Sequence, residues 1–326
     1  MQRRDFLGIL GGAAAWPLTA WAQQLPMPVV GFIRDGSADA NSGFVAAFRK
    51  GLNEAGYVEA QNVTVEYHWL EGQIDRLPAL MADLARRRVA VIAAPGNEPA
   101  VAAKAATATI PIVFAVGGDP VQMGLVASLA RPGGNATGIN FFNTEVTAKR
   151  LRLLHDLVPK AVRVAVLVNP ANTLAAEATL RDVQQAASTL GLQIQILNVS
   201  TIGEIDATFA NLGRERPDAL FVTGDAFFTS RRGQFATLMA VNKIPATYSQ
   251  RDFVEAGGLM SYGTDIADAF HQVGVYIGSI LKGAKPADLP VLQATKFEFA
   301  INLQTARALG IEVPPGVLSI ADEVIE

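Results

Sequence analysis

The chain has 326 residues, 50% of them hydrophobic, a formal net charge of −3 and no cysteine. That length and apolar content suffice for a large buried core and favour two domains over one. The missing cysteines exclude disulfides, thiolate metal sites, a cysteine nucleophile and a lipid-anchored cysteine, and the mild acidity argues against the basic face that nucleic-acid binding needs.

The first 22 residues read as an export signal rather than as part of a fold. Arg3 and Arg4 form a basic start, an apolar Gly/Ala-rich run follows over 8–20, and Ala20-Trp21-Ala22 supplies a small-x-small cleavage pattern. The run is shorter than the roughly 20 residues that span a bilayer. Arg3-Arg4 with Phe6-Leu7 resembles the twin-arginine signal, a receptor-read address. Cleavage after Ala22 is therefore expected, with release of a soluble chain into the periplasm.

From residue 27 onward, short β-rich apolar runs alternate with amphipathic helical stretches. Strands are expected over 28–33, 62–69, 89–93 and 112–116, with helices over 43–55, 75–88 and 120–130 and an Ala-rich one that follows Pro95-Gly96-Asn97 and runs through Ala106. A run at 137–142 follows the break at Arg131-Pro132-Gly133-Gly134-Asn135. The rhythm then resumes with helices over 147–157, 173–190, 205–212 and 231–241, and strands over 163–168, 193–199, 219–222 and 246–248. The tail adds a strand over 259–262, a helix over 266–281, an extended run over 296–301 and a helix over 304–309. Such alternation implies right-handed βαβ crossovers and parallel sheets with helices on both faces. Pattern alone gives two α/β lobes.

Several motifs resemble the ABC transporter substrate-binding family that includes the tryptophan-binding TrpX-like proteins. They are Gly118-Asp119-Pro120 with Gly124-Leu125-Val126, the stretch Arg131-Pro132-Gly133-Gly134-Asn135-Ala136-Thr137-Gly138, and Gly257-Gly258-Leu259-Met260-Ser261-Tyr262-Gly263. Gly283-Ala284-Lys285-Pro286, Lys296-Phe297-Glu298 before Ile301-Asn302-Leu303, and the closing Ala321-Asp322-Glu323-Val324-Ile325-Glu326 also fit. The resemblance implies a type I periplasmic binding protein fold: two doubly wound parallel-sheet lobes joined by three crossover segments. Extended segments near 136–142, 257–263 and 289–298 would be the crossings. Lobe 1 would then comprise 27–138 plus 262–292, and lobe 2 139–261 plus 293–326. The resemblance further implies a monomer that hands a small ligand to an ABC permease in the inner membrane. Phe270-His271 stands where the family leads one to expect an aromatic residue and an arginine, and Pro95-Gly96-Asn97-Glu98 is more polar than the family's Gly-rich form.

In doubly wound sheets a ligand sits beyond the carboxyl ends of the strands, against helix N-termini that carry free N–H groups and partial positive charge. This rule selects loops at 34–41, 95–98 and 117–119 in the first lobe, and at 169–172, 224–228 and 248–252 in the second. Ser37, Asn41, Asn97 and Asp119 are the first-lobe candidates; capping explains Asn41 equally well and Asp119, ahead of Pro120, better than a ligand role does, and a turn explains Asn97. In the second lobe Asn169 and Asn172 are candidate donors, and Asp225 is the acid expected to pair with a ligand ammonium. Phe227, Tyr248 and Tyr262 are candidates for an apolar cleft wall, although Phe227 with Phe228 also suits core packing.

No catalytic residue, metal ligand or cofactor motif stands out. His68, His155 and His271 fall on none of the selected loops, and the sequence has no His-x-x-x-His pair, nucleophile elbow, P-loop or dinucleotide fingerprint. The expected function is therefore periplasmic solute binding for an ABC importer, by closure of two lobes around an amino acid or another small, possibly aromatic, carboxylate. A periplasmic sensor presenting its ligand to a membrane receptor is the alternative, and an exported hydrolase is the third.

Overall fold

Valine, isoleucine and alanine dominate the runs that become strands, and the central strands are covered on both faces, as parallel strands must be. The computed structural model describes residues 27–141, 144–212 and 216–326; the expected signal peptide lies outside them. The first sheet is built from β1 (Val29–Arg34), β2 (Thr64–Trp69), β3 (Val91–Pro95), β4 (Ile112–Val116), β5 (Ala136–Asn140) and β11 (Leu292–Gln293), in the order β11-β5-β4-β3-β1-β2. All its pairings are parallel. Helices α1 (Ser42–Glu54), α2 (Leu77–Arg87) and α3 (Asn97–Ala106) make the crossovers.

The second sheet has β6 (Arg163–Val168), β7 (Gln193–Asn198), β8 (Ala219–Val222), β9 (Ala246–Tyr248), β10 (Met260–Thr264), β12 (Phe297–Asn302) and β13 (Glu323–Ile325), ordered β13-β12-β10-β9-β8-β6-β7. Here β12 runs antiparallel to β10 and carries β13 parallel to itself, so the C-terminal edge is mixed. The accompanying helices are α4 (Thr144–Leu157), α5 (Thr173–Leu190), α6 (Ile202–Leu212), α7 (Ala226–Thr229), α8 (Arg232–Asn242), α9 (Asp252–Glu255), α11 (Leu303–Leu309) and α12 (Pro315–Leu318). Each sheet separates two apolar clusters: Phe32, Phe48 and Phe270 mark one face of the first sheet, and Ile92, Phe114 and Met81 the other.

Helix α10 (Ile266–Leu281) returns the chain to the first lobe and fixes it there by backbone contact with α1. A Cβ on Gly51 would stand 2.0 Å from the His271 carbonyl oxygen, and one on Gly274 would stand 2.2 Å from that of Phe48. Only glycine permits that approach.

The chain thus passes between the sheets three times: after β5, between Thr264 and Ile266, and between Gln293 and Phe297. The second passage falls later than the 257–263 segment expected from sequence, because β10 occupies most of that stretch. It is held between parallel β9 and antiparallel β12, which places Tyr262 in the second sheet. The helix expected over 120–130 is absent. Those residues form turns, with Gly124 in the left-handed region (φ 71°) ending a single turn begun at Asp119. Among the described residues no helix is long and apolar enough to cross a membrane.

Candidate functional site

The carboxyl ends of the strands of both sheets face one cavity of about 170 Å³. A single water needs about 10–15 Å³ by the same measure, so the space suits a small organic molecule. The first lobe contributes Arg34 at the end of β1 and Asp35 after it, Pro95 at the end of β3 and Gly96 to Glu98 after it, and Gly117 after β4. The second lobe contributes Asn169 and Asn172 after β6, Gly224 to Phe227 after β8, Ser249 and Gln250 after β9, and Thr147 and Arg150 from α4. The lips approach closely: a Cβ on Gly36 would lie 3.5 Å from the Ala226 carbonyl oxygen.

Two buried arginines line the cavity. Arg34 is held at two of its three nitrogens and against two rings: its Nε donates to Asn41 Oδ1, an Nη donates to the Pro95 carbonyl (3.4 Å), and its guanidinium lies 4.7 Å from the Phe270 ring centroid and 5.3 Å from that of Phe44. Burial pulls it down to about 10, while Asp35 and Asp225 act in the opposite sense. Arg150 is 3% exposed and stacks over Phe221 at 4.1 Å, yet its enclosed Nε has no hydrogen-bond partner. Burial lowers it to about 9, and among the described residues no carboxylate opposes the shift. A desolvated cation without a counter-ion is costly, and a bound anion relieves that cost.

The acids are arranged differently. Asp225 caps α7 by accepting from Phe227 N (2.8 Å), and it also accepts from Asn169 Nδ2 (3.1 Å) and Asn172 Nδ2 (3.0 Å). Burial raises its carboxyl above the usual range, and the two asparagine amides pull the other way. Asp35 Oδ1 accepts from Gly72 N (2.6 Å). Glu98, in the first turn of α3, has a buried Oε1 with no partner. Burial, with smaller help from the charges of Asp225 and Asp35, pushes its carboxyl up to about 7.

Of the residues selected from sequence, Asn97, Asn169, Asn172, Asp225 and Phe227 line the cavity. Asn97 Oδ1 accepts from Gly117 N (3.2 Å) and Gly118 N (3.3 Å), which ties the β3 and β4 loops together. Five candidates lie elsewhere. Asn41 neither reaches the cavity nor caps α1 with its side chain; it orients Arg34 and donates to the Ser37 carbonyl (2.8 Å). Ser37 sits in a neighbouring concavity at the lip with Glu71, Phe227 and Arg231. Asp119 accepts from Val121 N (2.8 Å) and Gln122 N (3.2 Å), as a cap does. Tyr248 is 0% exposed in the core, stacked on Phe253 at 4.5 Å. Tyr262 packs against Phe297 and Phe299 at the sheet edge.

Sequence reasoning missed Arg34, Arg150 and Glu98. Arg150 carried a signal: with Val146, Leu153, Leu154 and Leu157 it falls on the apolar face of α4 at i, i+4, i+7, i+8 and i+11. A charge on an apolar face is a departure with a reason, but Lys149 and Arg152 beside it blur the pattern into a solvated basic stretch. Among the described residues no group of three or more His, Cys, Asp or Glu is placed to hold a metal ion.

A family model described as ABC transporter substrate binding protein matches residues 29–325. A tyrosine-binding protein of Clostridioides difficile (strain R20291) is 26% identical over 273 residues, which is 84% of this chain and 77% of the relative. A crystal structure of an ABC domain in complex with L-Trp from Streptococcus pneumonia superposes with a TM-score of 0.82 at 26% identity, covering 92% of this chain and all of the other (100%). A conserved domain protein from Vibrio cholerae shares the fold with a TM-score of 0.83 at 24% identity, over 91% of this chain and 99% of its own.

Proposed function

This chain belongs to the ABC transporter substrate-binding protein family, and on that premise we propose that it is the solute-binding component of an ABC importer. It acts as a monomer in the periplasm, after removal of residues 1–22, and delivers a small carboxylate ligand, foremost an amino acid, to an inner-membrane permease. The observation that carries this reading is Arg150, a buried guanidinium on the wall of an interlobe cavity with no counter-ion among the described residues. Arginine recognises a carboxylate through paired N–H donors, more strongly in a desolvated site than in water. Binding to relatives of tyrosine in one case and L-Trp in the other favours the amino-acid class and an aromatic or branched side chain.

Closure follows from the placement of the two walls. The residues around the cavity come from both lobes, so a ligand touching both stabilises the closed arrangement and is what the permease reads. The passages after β5, at Asp265 and at 294–296 act as the hinge, with 27–140 and 266–293 moving as one lobe. Thermal-shift measurement of the purified protein against the twenty common L-amino acids and a set of small mono- and dicarboxylates tests this. A ligand at about 100 times its Kd stabilises by roughly 2.7 kcal/mol, and at least one member is expected to do so. Silence across the whole panel overturns the proposal.

A further inference from the structure

We propose that Glu98 and Arg150 are the two ends of a clamp, one on each lobe, that selects a zwitterionic α-amino acid over the plain carboxylate or plain amine of the same shape. This rests on the solute-binding reading above and names the substrate class of that site. It also moves the ammonium partner from Asp225, where the sequence suggested it, to Glu98.

The assignment follows from which groups are already satisfied. Asp225 accepts three hydrogen bonds from its own lobe, so its carboxylate orders Asn169, Asn172 and the start of α7. Asp35 is engaged by Gly72 N, and Arg34 by Asn41, Pro95 and two aromatic rings. That leaves one acid with a buried oxygen lacking a donor, Glu98, and one base with a buried nitrogen lacking an acceptor, Arg150. Both line the same cavity, Glu98 from α3 and Arg150 from α4. No hydrogen bond or ion pair among the described residues joins the two, so each awaits a complementary group from outside the chain.

A carboxylate ligand without an ammonium would pair Arg150 and leave Glu98 enclosed and unmatched. An amine without a carboxylate would do the reverse. A site built to hydrogen-bond a group rejects the analogue lacking it more strongly than a hydrophobic pocket rejects a missing methylene. The charged residues that line the cavity with Glu98 are acidic Asp35 and Asp225 and basic Arg34 and Arg150. Burial, with smaller help from the two acids, raises its carboxyl to about 7 without ligand, and an incoming ammonium favours the ionised form. Binding below neutrality therefore releases a proton from Glu98.

The test takes the amino acid giving the largest stabilisation among the twenty and compares it, by titration calorimetry at pH 7.5, with its deaminated acid and its decarboxylated amine. For a tryptophan hit these are indole-3-propionate and tryptamine; for a tyrosine hit, 3-(4-hydroxyphenyl)propionate and tyramine. The amino acid should bind at least 100-fold more tightly than either analogue. Glu98→Gln should weaken the amino acid at least tenfold, leave the deaminated acid unchanged or tighter, and abolish the loss of amino-acid affinity between pH 7.5 and pH 5.5. Equal binding of amino acid and deaminated acid, or discrimination that survives Glu98→Gln, overturns the clamp. Binding of a simple carboxylate with no amino acid binding also overturns it while leaving the solute-binding proposal standing. Silence from every amino acid and carboxylate removes both.

Discussion

The two walls of the cavity each carry a buried arginine, and the two are used in opposite ways. Arg34, at the end of β1, is enclosed by an asparagine, a carbonyl and two aromatic rings. Arg150, on α4, has one ring beneath it and an enclosed Nε with no acceptor. Equal burial therefore does not mean equal role. A charge whose hydrogen bonds are met inside the chain is part of the scaffold, whereas one left unmet at a cavity is reserved for something that arrives later. The acids divide in the same manner, with Asp225 committed to its own lobe and Glu98 uncommitted.

Substitution separates the two arginines most sharply. Arg150→Met should cost about 3 kcal/mol of ligand affinity, over 100-fold, because the ligand carboxylate loses its charged partner. Its unliganded melting temperature should hold or rise, since an unpaired buried charge is replaced by an apolar chain of similar length. Calorimetric titration and melting curves on one preparation check both. Arg34→Met should do the reverse, lowering unfolding free energy by about 2–3 kcal/mol in urea, because Asn41 Oδ1 and the Pro95 carbonyl lose their donor. If both variants lose the same stability, the distinction between the walls collapses.

Glu98 sharpens the comparison through pH. Its carboxyl is raised from 4.5 to about 7 in the folded protein, so the folded state holds the proton more tightly than the unfolded chain. That contribution is fully present below about 4.5 and is lost as pH rises to about 7. Glu98→Gln, always neutral, should accordingly match the unliganded wild type near pH 4.5. It should be more stable than wild type at pH 8 by about 1–2 kcal/mol, after allowance for partial solvent screening. The smallest effect belongs outside the cavity. Asp119→Ala should cost about 1 kcal/mol of stability through loss of the two backbone hydrogen bonds its carboxylate accepts in the turn and leave ligand affinity unchanged. A change in affinity there would return Asp119 to the site.

Much of this was legible from the chain, because strand–helix alternation is a local pattern and the sheets follow from it. The two-lobed α/β form needed only that pattern, and the loops at 95–98, 169–172 and 224–228 needed only the rule that ligands sit beyond strand ends. Which side chains on those loops stay free was not legible. Asn41 and Asp119 resemble ligand donors in sequence, but their partners are backbone or arginine groups that only folding brings near. Tyr248 looked like a cleft residue because it ends a strand; β9 is so short that its last residue still lies in the core. The turn at 120–130 was misread as helix because the left-handed conformation of Gly124 is not visible in an apolar, helix-compatible stretch. Arg150 escaped because α4 supplies it from a helix face, away from any strand end.

The most direct measurement is a crystal structure of the protein with the tightest ligand of the panel. A ligand carboxylate hydrogen-bonded to the Arg150 guanidinium within the cavity between the lobes is expected, with Arg34 still held by Asn41 and Pro95. A ligand whose anionic group rests on Arg34 or on backbone amides alone, leaving Arg150 without an acceptor, would contradict that expectation.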